Sequence, residues 1–435
     1  MTARDTALTA LIALRRQKAW SDGILKEYML RDRLDKRDAA LASLLCYGVM
    51  QNRELLDYYI SAFLKGSIKR LDPIVLDILR LGVFQLTMTD KIPASAAVNE
   101  AVEQTKHYAN RQAAGLVNGV LRSIERNKNA LPEPQSLCVR YSHPQVLVDL
   151  LQENVGEEKL EALLAANNST PRTCAQVNPL KTGESALREE LQALSIEAVG
   201  HPYLPNCLYL SGTGNVERLN AFQQGKFYMQ DPAAKLAAIS GGARPEMRVL
   251  DACAAPGGKS FASAILMENR GEIISCDIHE HKIRLLQNGA DRLGLSIIHP
   301  MLQDAAKLRE EWKDSFDLVI ADVPCSGLGV IRKKPDIRYK NPADFAALPA
   351  LQSKIIDVQA NYVKPGGVLL YSTCTILKAE NEDVIENFLR EHPEFSMEAL
   401  TLPEELHLPN TGMATFLPCD HDTDGFFVCR MRKHT

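Results

Sequence analysis

The chain has 435 residues, 46% of them apolar, and a formal net charge of −4, which is enough apolar material for two or three cores. No apolar run approaches the ~18 residues of a membrane span. The ten cysteines include no C-x-x-C pair and no metal-ligand spacing with histidine, so a protein without metal, without a secretion signal and with reduced thiols in the cytoplasm is expected.

Charge is unevenly spread. Residues 1–130 hold 20 Lys+Arg against 14 Asp+Glu, a formal +6, which leaves −10 for the remainder. A basic module joined to an acidic body suits a nucleic-acid partner, although a solvated helical surface would have the same composition. Residues 1 to about 128 read as helices throughout. Thr2 to Leu14, Ala39 to Gln51, Pro73 to Met88, Ala94 to Tyr108 and Gln112 to Arg126 place apolar residues at three- and four-residue spacing. Gly82, Asn118 and Gly119 are expected to allow close helix packing.

Asn127 to Pro134 is a linker by composition. A small α/β segment is expected over 137–235, with His143 capping a helix from about Gln145 and a strand over Arg172 to Asn178. From 236 to 435, strands are predicted over Arg248 to Cys253, Glu272 to Asp277, Ile297 to Leu302, Phe316 to Cys325 and Val368 to Cys374. A helix over Glu380 to Glu391 and strands over Phe395 to Leu400 and Gly425 to Arg432 complete the chain.

The apolar, β-branched runs that end in Cys325 and Cys374 read as buried parallel strands. Ligands sit at the carboxyl ends of such strands, so both thiols and the Asp322 carboxylate should meet in one crevice. A soft nucleophile beside a carboxylate suits addition to an electron-poor ring carbon followed by proton transfer. The alternative is that both are small apolar fillers, as Cys253, Cys276 and Cys429 read.

Upstream, Ala254-Ala255-Pro256-Gly257-Gly258-Lys259 turns the first strand into a helix beginning near Ser260. Its paired glycines allow a ligand close to the backbone, and the helix start offers free N–H donors. It is not a dinucleotide G-x-G-x-x-G fingerprint. Asp277 suits two ribose hydroxyls, and Asp304 is placed to reach an adenine edge. Acids around the crevice suit a sulfonium better than a pyrophosphate, which points to S-adenosylmethionine.

DACAAPGGK, CDI, ADVPCSG and YSTCT, in this order, resemble the motifs of RNA cytosine carbon-5 methyltransferases. The chain is most similar to the RsmB (Sun/Fmu) family that modifies 16S ribosomal RNA. Ile331 to Ile337, Asp424 to Phe427 and Phe227 to Pro232 strengthen the match, while Val323 stands where alanine is usual. Leu79 to Leu86 and Gly115 to Arg122 resemble the NusB-type RNA-binding helical domain.

The resemblance implies three parts: an all-α NusB-like domain (1–130), a small α/β RNA-binding segment (137–235) and a Rossmann-like methyltransferase domain (236–435). The last would carry a seven-stranded, mostly parallel sheet with one antiparallel edge. Cys253, Ala254, Ala255, Pro256, Gly257, Gly258, Lys259, Asp277, Asp304 and Asp322 would hold S-adenosylmethionine. Asp322 would also hydrogen-bond the cytosine, with Lys259 holding Asp322 or the cofactor carboxylate.

From the residues alone either thiol could attack. In DNA cytosine methyltransferases the Pro-Cys cysteine attacks, which would be Cys325. The RNA family uses the Thr-Cys cysteine, which carries over to Cys374 and leaves product release to Cys325. Arg332, Lys333, Lys334 and Arg338, just after the Cys325 loop, are expected to contact RNA phosphates. The implied partner is 16S ribosomal RNA, free or in an early small-subunit particle, acted on by a monomer. Transfer RNA as substrate, or a non-catalytic NusB-like antitermination factor, are the rival readings.

Overall fold

A computed structural model describes residues 1–17 and 21–435. They form two compact units, Met1–Ser169 with Ile331–Lys340, and Thr170–Val330 with Asn341–Thr435.

The first unit is helical. Its helices run Ala3–Gln17, Ser21–Arg31, Lys36–Gln51, Arg53–Phe63, Pro73–Met88, Ala94–Tyr108 and Ala114–Arg126, then Leu137–Arg140, Gln145–Val155 and Glu157–Asn167. Asp72 starts the fifth: its carboxylate accepts from the Ile74 N–H, and Pro73 sits where no donor is needed. The apolar stripes meet in one core that includes Leu8, Leu45, Leu56, Ile78, Val98 and Leu121. Arg80 is buried in that core and is neutralised by Asp57 at 2.6 Å and Asp77 at 3.0 Å.

Gly82 meets the expectation of close packing, because a Cβ there would run into the Leu121 side chain. Asn118 and Gly119 do not. They lie on the exposed side of Ala114–Arg126, whose buried residues are Val117, Val120, Leu121 and Ile124.

Residues 137–169 pack with these helices rather than with the strands from Thr173 onward. Hydrogen bonds between distant parts of the chain explain this: the Ser142 hydroxyl accepts the Glu54 N–H at 2.8 Å, and the Gln51 amide donates to the Asn168 carbonyl at 2.6 Å. His143 is not a cap. Pro144 occupies that position, and His143 is fully buried with Nδ1 2.7 Å from the Tyr141 carbonyl. Burial and the nearby Arg338 hold its imidazole well below the usual histidine range.

The second unit begins with a four-stranded antiparallel sheet. Its strands are β1 (Thr173–Val177), β2 (Glu197–Gly200), β3 (Cys207–Ser211) and β4 (Phe227–Met229), in the order β2-β3-β1-β4. The helix Glu184–Gln192 covers one face through Leu187 and Leu191. On the other face, Cys207 and Tyr228 join the core of the larger sheet.

That larger sheet comprises β5 (Arg248–Asp251), β6 (Glu272–Asp277), β7 (Ile298–Leu302), β8 (Phe316–Asp322), β9 (Val363–Thr373), β10 (Phe395–Met397), β11 (Met413–Phe416) and β12 (Phe426–Lys433). The order β10-β12-β9-β8-β5-β6-β7 is parallel from β9 to β7. β12 is antiparallel to β9, and the short β10 and β11 share its outer edge. The sheet therefore has eight strands, of which β12 alone runs against the others, and a four-residue strand outside the expected seven, β11, lies on its exposed edge. The chain order reverses between β5 and β8, which opens a crevice at their carboxyl ends.

Candidate active site at the carboxyl edge of the sheet

Five strands, β5 to β9, deliver the candidate residues, because each turns acid or thiol as it leaves the sheet. β5 ends in Asp251, fully buried, whose Oδ2 accepts the Ser260 hydroxyl at 2.7 Å while Oδ1 has no hydrogen-bond partner. Burial pushes this carboxyl up to about 7, and the Ser260 bond opposes the shift.

The turn after β5 needs its first glycine. Gly257 has φ +118, and a Cβ there would enter the Phe261 ring. The helix Gly258–Leu266 then starts beneath the crevice and carries Lys259 inward. Lys259 is buried, its Nζ lies 2.6 Å from Asp322 Oδ2, and the Phe426 ring centroid is 4.8 Å away.

Asp322 ends β8, and its other oxygen accepts the Ser372 hydroxyl at 2.7 Å. Strand register explains that contact, since Asp322 stands opposite Ser372 in the parallel pair β8–β9. Asp277 ends β6 and is buried, with its carboxylate on the His279 N–H at 3.0 Å and 3.5 Å from Lys282 Nζ. Asp304 follows β7, half-buried, accepting the Ala306 N–H at 3.0 Å.

The two thiols are in contact. Cys325 Sγ and Cys374 Sγ are 3.3 Å apart. The hydrogen bond to Cys374 holds the Cys325 thiol far above the usual cysteine range, with burial adding to it.

An open cleft of about 680 Å³ is lined by Asp251, Gly258, Lys259, Asp322, Cys374 and Phe426, among others. The structure thus brings Asp251, Lys259, Asp322, Cys325 and Cys374 together. Asp277 and Asp304 stand outside the lining of this cleft, at the next two strand ends. Ser260 and Ser372, which donate to the Asp251 and Asp322 carboxylates, are absent from the expected set. For Ser372 the signal is strand register, which sets it opposite Asp322.

Two expected RNA contacts are corrected. Arg338 is 1% exposed, and it spends its guanidinium on the carbonyls of Gln51 (2.9 Å) and Ser142 (3.0 Å) and on Asn168 Oδ1 (3.0 Å), all in the helical unit. Arg332 is buried too, at 8%. Lys333 is half-buried and Lys334 exposed, so the expectation narrows to these two. Arg338→Ala should leave several buried carbonyls unsatisfied and destabilise the protein by about 2–4 kcal/mol in thermal melts. An unchanged melting temperature would show that those bonds do not hold the segment.

The family described as 16S rRNA methyltransferase RsmB/F matches residues 242–432, the NusB family residues 1–126, and an RsmF/B-like ferredoxin-like domain residues 143–217. A probable ribosomal RNA small subunit methyltransferase B from Bacillus subtilis is 38% identical, covering 99% of this chain and 98% of that protein. Its counterpart from Synechocystis is 34% identical over all of both chains. The crystal structure of PH0851 superposes with a TM-score of 0.80 at 27% identity, covering 98% of each chain. NSun6 from Pyrococcus horikoshii shares the fold over 67% of this chain and 98% of its own, with a TM-score of 0.60 at 22% identity. With motifs in order, both thiols at one crevice and relatives matching from end to end, the chain belongs to the RsmB-type small-subunit ribosomal RNA methyltransferases.

Proposed function

We propose that the protein methylates carbon 5 of one cytosine in 16S ribosomal RNA through a covalent bond between Cys374 and the base. The observation that carries this reading is the 3.3 Å contact of the two thiols beside the Lys259–Asp322 pair at 2.6 Å.

Carbon 5 of cytosine is a poor nucleophile. Addition of the Cys374 thiolate at carbon 6 would give it enamine character. Asp322 would hydrogen-bond the pyrimidine and stabilise charge developing during addition, with Lys259 and Ser372 fixing its two oxygens. Cys325 would give its thiol proton to the departing Cys374 sulfur and take one from carbon 5 in its place. The carbon-5 hydrogen pair forms the ring double bond, and the carbon–sulfur pair returns to Cys374.

The cofactor residues fit S-adenosylmethionine. The unpartnered buried oxygen of Asp251 suits a cationic group, the N–H donors at the start of Gly258–Leu266 suit a carboxylate, and Asp277 suits ribose hydroxyls. Bound there, S-adenosylmethionine supplies an electrophilic methyl group. The target must be unpaired or flipped out to offer carbon 6. A monomer working in the cytoplasm, with Lys333 and Lys334 on phosphates, completes the proposal.

Asp277→Ala should weaken S-adenosylmethionine binding by about 1.5–3 kcal/mol, the range for hydrogen bonds to a charged group. Calorimetry giving an unchanged affinity would displace the cofactor from this strand end. To test the substrate, the purified chain is given labelled S-adenosylmethionine with unmodified 16S ribosomal RNA or transfer RNA. Label in cytosine of the ribosomal RNA is expected. Label in transfer RNA alone would favour the rival substrate, and none in either would favour a non-catalytic factor.

A further inference from the structure

Two consecutive buried residues take no part in the chemistry above, yet each holds the chain on both sides of one thiol. Glu380 ends the short turn Lys378–Glu380 and is 1% exposed. Its Oε2 accepts the Ser326 N–H at 2.9 Å and the Gln352 amide at 2.8 Å. That same amide donates to the Pro324 carbonyl at 3.0 Å. One neighbour of Cys325, Ser326, is therefore tied to this carboxylate directly, and the other, Pro324, through Gln352.

Asn381, fully buried, accepts the Thr373 hydroxyl at 2.6 Å and donates to the Thr375 carbonyl at 3.1 Å. These are the two neighbours of Cys374. The halves are joined by the Ser326 and Thr375 hydroxyls at 2.8 Å, and by the Gly329 N–H on the Cys374 carbonyl at 3.0 Å.

A carboxylate is an expensive way to hold a loop in a core. Burying its charge costs several kcal/mol, which a well-packed apolar side chain avoids, and Glu380 Oε1 lacks a hydrogen-bond partner. Stability alone gives no reason for an anion here. Its charge does, however, add to the influences that keep the Cys325 proton in place.

We infer that Glu380 and Asn381 are positioning residues for the two thiols, Glu380 setting Cys325 for product release and Asn381 setting Cys374 for attack. This rests on the covalent reading above. Because adjacent residues serve different steps, their variants should fail differently, which shared structural damage would not produce.

Full-length Glu380→Gln, Asn381→Ala and Cys325→Ala are compared with wild type on unmodified 16S ribosomal RNA and S-adenosylmethionine. Covalent complex on denaturing gels, first-turnover methyl transfer and melting temperature are read. Glu380→Gln should transfer its first methyl group normally but clear the complex on the order of tenfold more slowly, so that complex accumulates. Asn381→Ala should slow complex formation and methyl transfer together, on the order of tenfold, with no accumulation.

Gln352→Met, which removes the shared amide, and Thr373→Val, which removes one hydroxyl, repeat the two arms should either first variant fail to fold. Equal slowing of both steps in both arms overturns the inference. If Cys325→Ala accumulates complex and Glu380→Gln does not, the positioning role falls while the assignment of the thiols stands. If Cys325→Ala accumulates none, that assignment fails and the positioning role with it.

Discussion

Cys374→Ala is expected to abolish methyl transfer, a loss of at least about 10⁴-fold by analogy with other removed nucleophiles, and to form no covalent complex with RNA. Cys325→Ala should behave differently although its sulfur lies only 3.3 Å from that of Cys374. Attack and methyl transfer should proceed, but the complex should break down slowly and survive denaturing electrophoresis. If both residues were only small apolar fillers, each variant would lose a modest amount of stability, with no such asymmetry. The reverse pattern, with complex trapped by Cys374→Ala, would exchange the two roles.

The second large effect concerns the ion pair. Asp322→Ala leaves the Lys259 ammonium, with 7% of its side chain exposed, without its carboxylate partner at 2.6 Å. Stranding a buried charge costs about 3–5 kcal/mol, and the low end applies because the Asp322 side chain is 32% exposed. Activity should fall more than stability explains, by about 10²–10³ in first-turnover rate, as for other groups that stabilise developing charge. The double variant Lys259→Met/Asp322→Leu removes both charges, so it should regain melting temperature without regaining activity. A wild-type rate in Asp322→Ala would remove this residue from the chemistry.

How much of the fold is legible in the sequence depends on how local each cause is. Pro73–Met88 and Ala94–Tyr108 carry apolar periods that decide their extent, and Asp72-Pro73 marks a helix start with two neighbouring residues. Asp277 and Asp322 could be placed because a strand's end and its side chain's position are decided within a few residues. Arg338 could not. A basic run reads as surface, and its burial depends on the carbonyls of Gln51 and Ser142, far away in the chain. Asn118 and Gly119 show the same limit, since small residues on a helix do not say which face meets a neighbour. Glu380 and Asn381 were invisible for a related reason: their partners, Ser326, Gln352, Thr373 and Thr375, converge only once β8 and β9 lie side by side.

The central claim is that this chain puts a methyl group on carbon 5 of one cytosine in 16S ribosomal RNA. Bisulfite sequencing of that RNA from a deletion strain tests it most directly, with complementation by the wild-type chain and by Cys374→Ala. One cytosine protected in wild type should become convertible in the deletion strain, regain protection with the wild-type chain and stay convertible with Cys374→Ala. An identical pattern of protected cytosines in all four strains would contradict the claim.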